Sequence, residues 1–172
     1  MISLPNPLHP AVVHFPIVLI LLGTMVALLV IVWRRWHLPW LAAVLLVAGA
    51  SGAFVAARTG GQQAEMAGEI SESAELILDH HETWGERTRN LAIAAAILAL
   101  VSASATRFPK AARGLTVATA LVAGATAYSV AQAGHYGGQL VYKHGVGINT
   151  AAANNPTTAS PNPTTKTKTS DD

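Results

Sequence analysis

The stretch AVVHFPIVLILLGTMVALLVIVW, residues 11–33, decides the fold class. It holds no Asp, Glu, Lys or Arg, and it exceeds the roughly 20 residues a helix needs to cross about 30 Å of hydrocarbon. Arg34-Arg35 closes it. No basic residue precedes the run and it is longer than a usual signal h-region, so it is expected to be a retained span, not a cleaved leader. Three further apolar runs follow, at about residues 38–57, 91–106 and 115–133. In lipid the backbone must bond to itself, and none of these runs alternates apolar and polar residues as barrel strands do. Each is therefore read as a helix. The third is short for a span, and its helix is expected to start upstream, near residues 81–87.

The whole chain agrees with this reading. Of 172 residues, 51% are hydrophobic and only 12% charged, about half the charge of a soluble domain. The mean hydropathy is +0.38. The net charge of +2 is spread thinly and makes no case for nucleic acid. The absence of cysteine excludes disulfides, Cys-based zinc sites, iron–sulfur clusters on Cys and covalently attached haem. Small residues recur at helical spacing, as in Ala48/Gly52/Ala56, Ala95/Ala99/Ala103 and Ala123/Ala127/Ala131. Such stripes let helices approach closely in lipid, although an Ala-rich chain also produces them by chance.

Charge sets the orientation. The connection with Arg34 and Arg35, and the one with Arg107, Lys110 and Arg113, carry no acid and are expected to be cytoplasmic. Residues 1–10 carry no basic residue, and residues 58–90 are mostly acidic. Both termini and that long connection are expected outside, on the periplasmic face of a bacterial inner membrane. Trp33, Trp36 and Trp40 suit the inner interface. Within the long connection, Ala64, Ala67, Ile70, Ala74, Ile77 and Leu78 sit three or four apart among acids, which predicts an amphipathic outer helix. Residues 149–172, rich in Thr, Asn, Pro and Lys, are expected to be a disordered tail. The fold class is thus an all-α membrane protein. It comprises a four-transmembrane-helix bundle over residues 1–148, an outer amphipathic helix, and that tail.

Six of the seven histidines (all but His37) fall outside by this topology. His14 stands one turn into the first span, His81 just before the third and His135 just after the fourth. Three helices would thus bring imidazoles to one membrane face. His81 shares a helical stripe with Gly85, Thr88, Ala92, Ala95 and Ala99, the small face that should point into the bundle. Two facing imidazoles can hold a haem iron, and Arg58, Arg87 and Arg89 lie where they could pair with propionates. An interfacial histidine can equally snorkel or bond a loop carbonyl. His80 is read as a solvated neighbour of His81.

The chain ends carry a resemblance. Leu8-His9-Pro10-Ala11-Val12-Val13-His14-Phe15-Pro16-Ile17 opens it, and Gly134-His135-Tyr136-Gly137-Gly138-Gln139-Leu140-Val141-Tyr142-Lys143-His144-Gly145-Val146-Gly147 closes it. Together they resemble the bacterial integral-membrane family called domain of unknown function 2231, over about residues 8–148. Thr59-Gly60 and His81-Glu82 match more loosely. The resemblance implies four membrane helices and a recurrent histidine set, His9, His14, His81, His135 and His144, without an established activity. On physical grounds Pro16 should bend the first helix below His14. Gly137-Gly138 and Gly145 should allow a tight turn, with residues 140–142 folding back as a lid so that His135 and His144 bracket the site.

Three functions compete. One is a b-type haem protein that transfers electrons with a periplasmic or membrane redox partner, with His14 and His81 as axial pair and His135 as replacement. The second is an accessory protein binding copper or zinc through His9, His14, His81, His135 and His144. The third is a non-catalytic scaffold subunit whose acidic outer helix meets a partner. An enzyme is least favoured: there is no Ser/His/Asp arrangement, no phosphate loop and no carboxylate pair within the apolar runs.

Overall fold

A computed structural model describes residues 9–146, except 34, 36, 67, 68 and 106; the expected tail lies outside these residues. The described residues form helices and no strands. The elements are α1 (His9–Val12), α2 (His14–Val32), α3 (Leu38–Met66), α4 (Glu72–Ser104) and α5 (Pro109–His144). The four long helices form a closed ring in which each packs on two neighbours: α2 on α3, α3 on α4, α4 on α5 and α5 on α2. Three of them, α2, α3 and α5, are long and apolar enough to cross a membrane.

The side-chain distribution is that of a bundle in lipid. Inside are small residues such as Ala43, Ala95 and Ala123, all with no exposed surface. Outside stand Phe15, Met25, Val32, Ile97 and Leu121, each more than half exposed. Water would drive these large residues inward. In hydrocarbon no such force acts, and close backbone approach selects small ones for the interface. Gly23 and Gly49 mark the tightest crossing. A Cβ on Gly23 would stand 2.9 Å from Leu46, and one on Gly49 would stand 2.9 Å from Ile20 Cγ1.

Local chemistry explains the helix ends. Pro16 has no N–H to give the Val12 carbonyl, and the helix is interrupted at Val13. Bonds from Val13 N to the His9 carbonyl (3.1 Å) and from Ile17 N to the Val13 carbonyl (3.3 Å) carry the coil through. The effect of Pro16 is thus a break in the hydrogen-bond ladder one residue before His14, where Val13 keeps a right-handed helical backbone (φ -62, ψ -29). Ser71 caps α4 by accepting from Ala74 N at 3.3 Å, with Glu72 and Glu75 favourably placed in the first turn. The outer helix expected over residues 64–78 is not a separate element: residues 64–66 finish α3 and residues 72–78 start α4. Pro109 opens α5, where a missing N–H costs nothing. Gly145 closes it in the left-handed region at φ 65, its N–H reaching the Val141 carbonyl at 3.1 Å.

The tight turn expected at Gly137-Gly138 does not form. Both residues lie within α5, which runs unbroken to His144. Residues 140–142 are therefore helix, not a lid.

Candidate functional site

Two histidines meet at the end of the bundle remote from the Trp33–Leu38 turn. His9, at the start of α1, and His81, in the third turn of α4, have ring centroids 6.2 Å apart and planes crossed at 84°. Both rings are half-buried.

Each ring is held by a neighbouring helix in the same way. His9 Nδ1 lies 2.9 Å from the Ala56 carbonyl on α3, with Thr59 Oγ1 at 3.3 Å. His81 Nδ1 lies 2.9 Å from the Ala133 carbonyl on α5. A carbonyl only accepts, so Nδ1 must carry the proton and donate. In a neutral ring that leaves the lone pair on Nε2. Burial pushes the His9 pKa below its ordinary 6.5; its carbonyl bond opposes this, and proximity to His81 adds to it. The neutral form is the one a metal takes.

Glycines supply the room. A Cβ on Gly60 would stand 3.0 Å from His9 Cε1, and one on Gly137 would stand 3.0 Å from His81 Cε1. The glycines thus serve ring-to-backbone packing rather than a turn. A side chain on Gly85, one turn beyond His81, would meet nothing within 4 Å.

The other expected residues lie around this pair or away from it. His14 is exposed, five residues beyond His9. His135 is exposed; its Nε2 is 2.9 Å from Gln139 Nε2 and its ring meets Tyr136 edge-on at 5.4 Å. His80 is exposed, as expected of a solvated neighbour, and stacks on the same tyrosine at 5.1 Å. His144 ends α5, nine residues beyond His135. That is about 13 Å along the axis and half a turn around it, so the two do not bracket a pocket. The arginines are engaged locally. Arg58 lies over Phe54 at 5.4 Å, Arg87 over Trp84 at 4.8 Å, and Arg89 is 3.7 Å from Glu86. Among the described residues no three of His, Cys, Asp or Glu converge as a metal cage.

Sequence reasoning named both His9 and His81 but paired His81 with His14, and it missed the carbonyls of Ala56 and Ala133 and the packing role of Gly60 and Gly137. The legible signal was the tripeptide Gly-Gly-Gln, present at residues 60–62 and again at 137–139.

The fold and this pair define a helical membrane protein with two crossed imidazoles at one end of its bundle. Residues 5–150 match the family described as "Predicted membrane protein (DUF2231)", and the chain belongs to that family. No curated protein and no solved structure matches it.

Proposed function

We propose that the chain is a four-span inner-membrane protein that carries a metal centre on His9 and His81 at its periplasmic face, with haem b for electron transfer as the centre that fits best. The supporting observation is the crossed pair itself. Each ring is locked by a carbonyl at Nδ1 and keeps its lone pair at Nε2. His9 and His81, with ring centres 6.2 Å apart, would hold a metal through their imidazole nitrogens at bonds of about 2 Å. Haem brings four nitrogen donors of its own, so two imidazoles complete it, whereas zinc bound by protein alone needs about four ligands. Bound there, haem would supply one-electron chemistry, used with a redox partner at the outer face. His9 would thus hold the group with His81, in the place first expected of His14.

In this reading α4 is the fourth span. Its small residues Ala92, Ala95, Ala96, Ala99 and Ala103 pack inside the ring, and its charged first half projects toward the outer headgroups, with both termini outside. A bare copper ion is the second reading, because two-coordinate binding also needs only this pair. A scaffold, with the exposed acids at the start of α4 as the partner surface, remains if no metal binds.

The test is the absorption spectrum of detergent-purified protein, oxidised and reduced, before and after addition of hemin. A Soret band that sharpens on reduction in the wild type, and collapses in His81→Ala, is expected. A wild-type protein with no Soret band, and unable to take up hemin, would sink the haem reading.

A further inference from the structure

The two histidine clamps are a single arrangement that occurs twice. Around the first acceptor the chain reads Ala56-Ala57-Arg58-Thr59-Gly60-Gly61-Gln62; around the second it reads Ala133-Gly134-His135-Tyr136-Gly137-Gly138-Gln139. Advancing the first by 77 residues superposes the accepting alanine, both glycines and the glutamine. The match continues down the helices. The five buried positions of α3 between Pro39 and Gly49 land on the five buried positions of α5 between Thr116 and Thr126. With an offset of 72, His9 falls on His81. The six buried positions of α2, from Pro16 to Val30, then fall on the six buried positions of α4 between Thr88 and Ser102.

Packed helices share a 3.6-residue burial rhythm, so stripes that align are expected in any bundle. That rhythm does not explain why the same two offsets superpose the histidines, their carbonyl acceptors and the glycines against which the rings lie. Nor does it explain the small cavity of about 10 Å³ deeper in the bundle. Ala27, Val30, Pro39 and Ala42 line it from the first hairpin, and the residues at the same offsets, Ala99, Ser102, Thr116 and Thr119, line it from the second. The cavity and the histidine pair mark two points on one line. Two hairpins that enter and leave the bundle at the same end are related by a two-fold axis along the helices. Such an axis makes the α2–α5 and α3–α4 contacts equivalent, and both are present.

We infer that the chain is a tandem duplication of a two-helix hairpin, and that His9 and His81 are the same ligand contributed twice to one site on the axis between the halves. That site takes a transition-metal centre with two positions open to neutral nitrogen donors. This deepens the proposal above and rests on the pair's being a metal site. Iron in a porphyrin and a bare copper ion present the same chemistry to it.

The test titrates hemin and, separately, Cu(I) into the detergent-purified full chain and into His9→Asn and His81→Asn. An asparagine amide can still donate to the Ala56 or Ala133 carbonyl, which keeps the clamp while removing the Nε2 ligand. Each substitution should weaken the bound probe by about 100-fold or more, since loss of a supporting contact alone costs up to that much. The two losses should agree within about threefold, and the double variant should be little worse than either single one. Gly60→Ala and Gly137→Ala, which crowd one ring each, should each weaken binding by about 10-fold. Hemin bound with only one of the two histidines required would overturn the symmetric site and leave the haem reading standing. Cu(I) bound with equal losses, and no hemin uptake, would leave the site standing and remove haem. A wild-type chain that binds neither probe overturns both.

Discussion

His9 is the residue on which most of the chemistry turns. Its ring gives up water for a carbonyl, a threonine and a second imidazole, and burial holds its pKa below 6.5. The groups facing it are the Ala56 carbonyl and Thr59 on α3 and the titratable His81 on α4. Because the folded value lies below the unfolded one, the unfolded chain takes up a proton first as pH falls. The contribution of His9 to stability is therefore complete above about pH 6.5. It declines below that value and is gone once pH has passed below the folded pKa. Thermal unfolding in detergent should accordingly show a smaller drop between pH 7.5 and 5.5 for His9→Asn than for wild type; an equal drop would show that His9 is not held neutral. His81 was recognisable in the sequence because a stripe of small residues continues from it along α4. His9 was named only within the wider histidine set, and its pairing with His81 was not legible: its ring points at α3 because α1 packs there, and nothing local to residues 8–14 states which helix that will be.

At the scale of single elements, close approach governs. α2 and α3 interlock through Gly23 against Leu46 and Ile20 against Gly49. The obstruction at Gly49 includes the Ile20 backbone N at 3.2 Å, which cannot rotate away. Gly49→Ala should therefore destabilise the protein by roughly 1–3 kcal/mol. Gly124, in mid α5, has nothing within 4 Å of where a Cβ would stand. Gly124→Ala should be neutral, or stabilising by up to about 1 kcal/mol through helix propensity. Chemical denaturation of the two variants in one detergent separates them, and equal effects would contradict the packing described. The same principle explains the missing turn at Gly137-Gly138. Glycine admits both a sharp turn and a close neighbour, and only the approach of His81 selects the second. Buried hydroxyls add short cross-links of the same kind. Thr24 donates to Ala123 of α5 at 3.2 Å, and Ser102 meets Thr116 across the α4–α5 crossing at 2.9 Å.

Over the whole molecule, the arrangement places the histidine pair and the α3–α4 connection at one end and the basic turns around Arg35 and Arg107 at the other. In the proposed orientation, with the pair at the periplasmic face, an impermeant maleimide should label Ser71→Cys and Ser170→Cys in intact cells. Phe108→Cys, exposed in the opposite turn, should react only after the membrane is opened. The chain has no native cysteine to confuse the result, and the reverse pattern would invert the proposed orientation. The long helices favour a site near the headgroups. At about 1.5 Å per residue, Ala56 stands roughly 27 Å along α3 from Leu38, close to the thickness of the hydrocarbon layer.

By itself the sequence determined that this chain enters a membrane as helices, because an uninterrupted apolar run of more than 20 residues leaves the backbone no other way to satisfy its hydrogen bonds in lipid. The helix ends were read less well: α4 starts at Glu72 rather than near residues 81–87, and α5 runs on to His144 where a turn was expected, although Ser71, Pro109 and Gly145 act only on their own backbone. Only the tertiary structure decided which histidines meet. Imidazoles more than seventy residues apart become neighbours through the packing of α1 on α3 and of α4 on α5. That packing depends on how whole helix surfaces fit, a property no short stretch of residues carries.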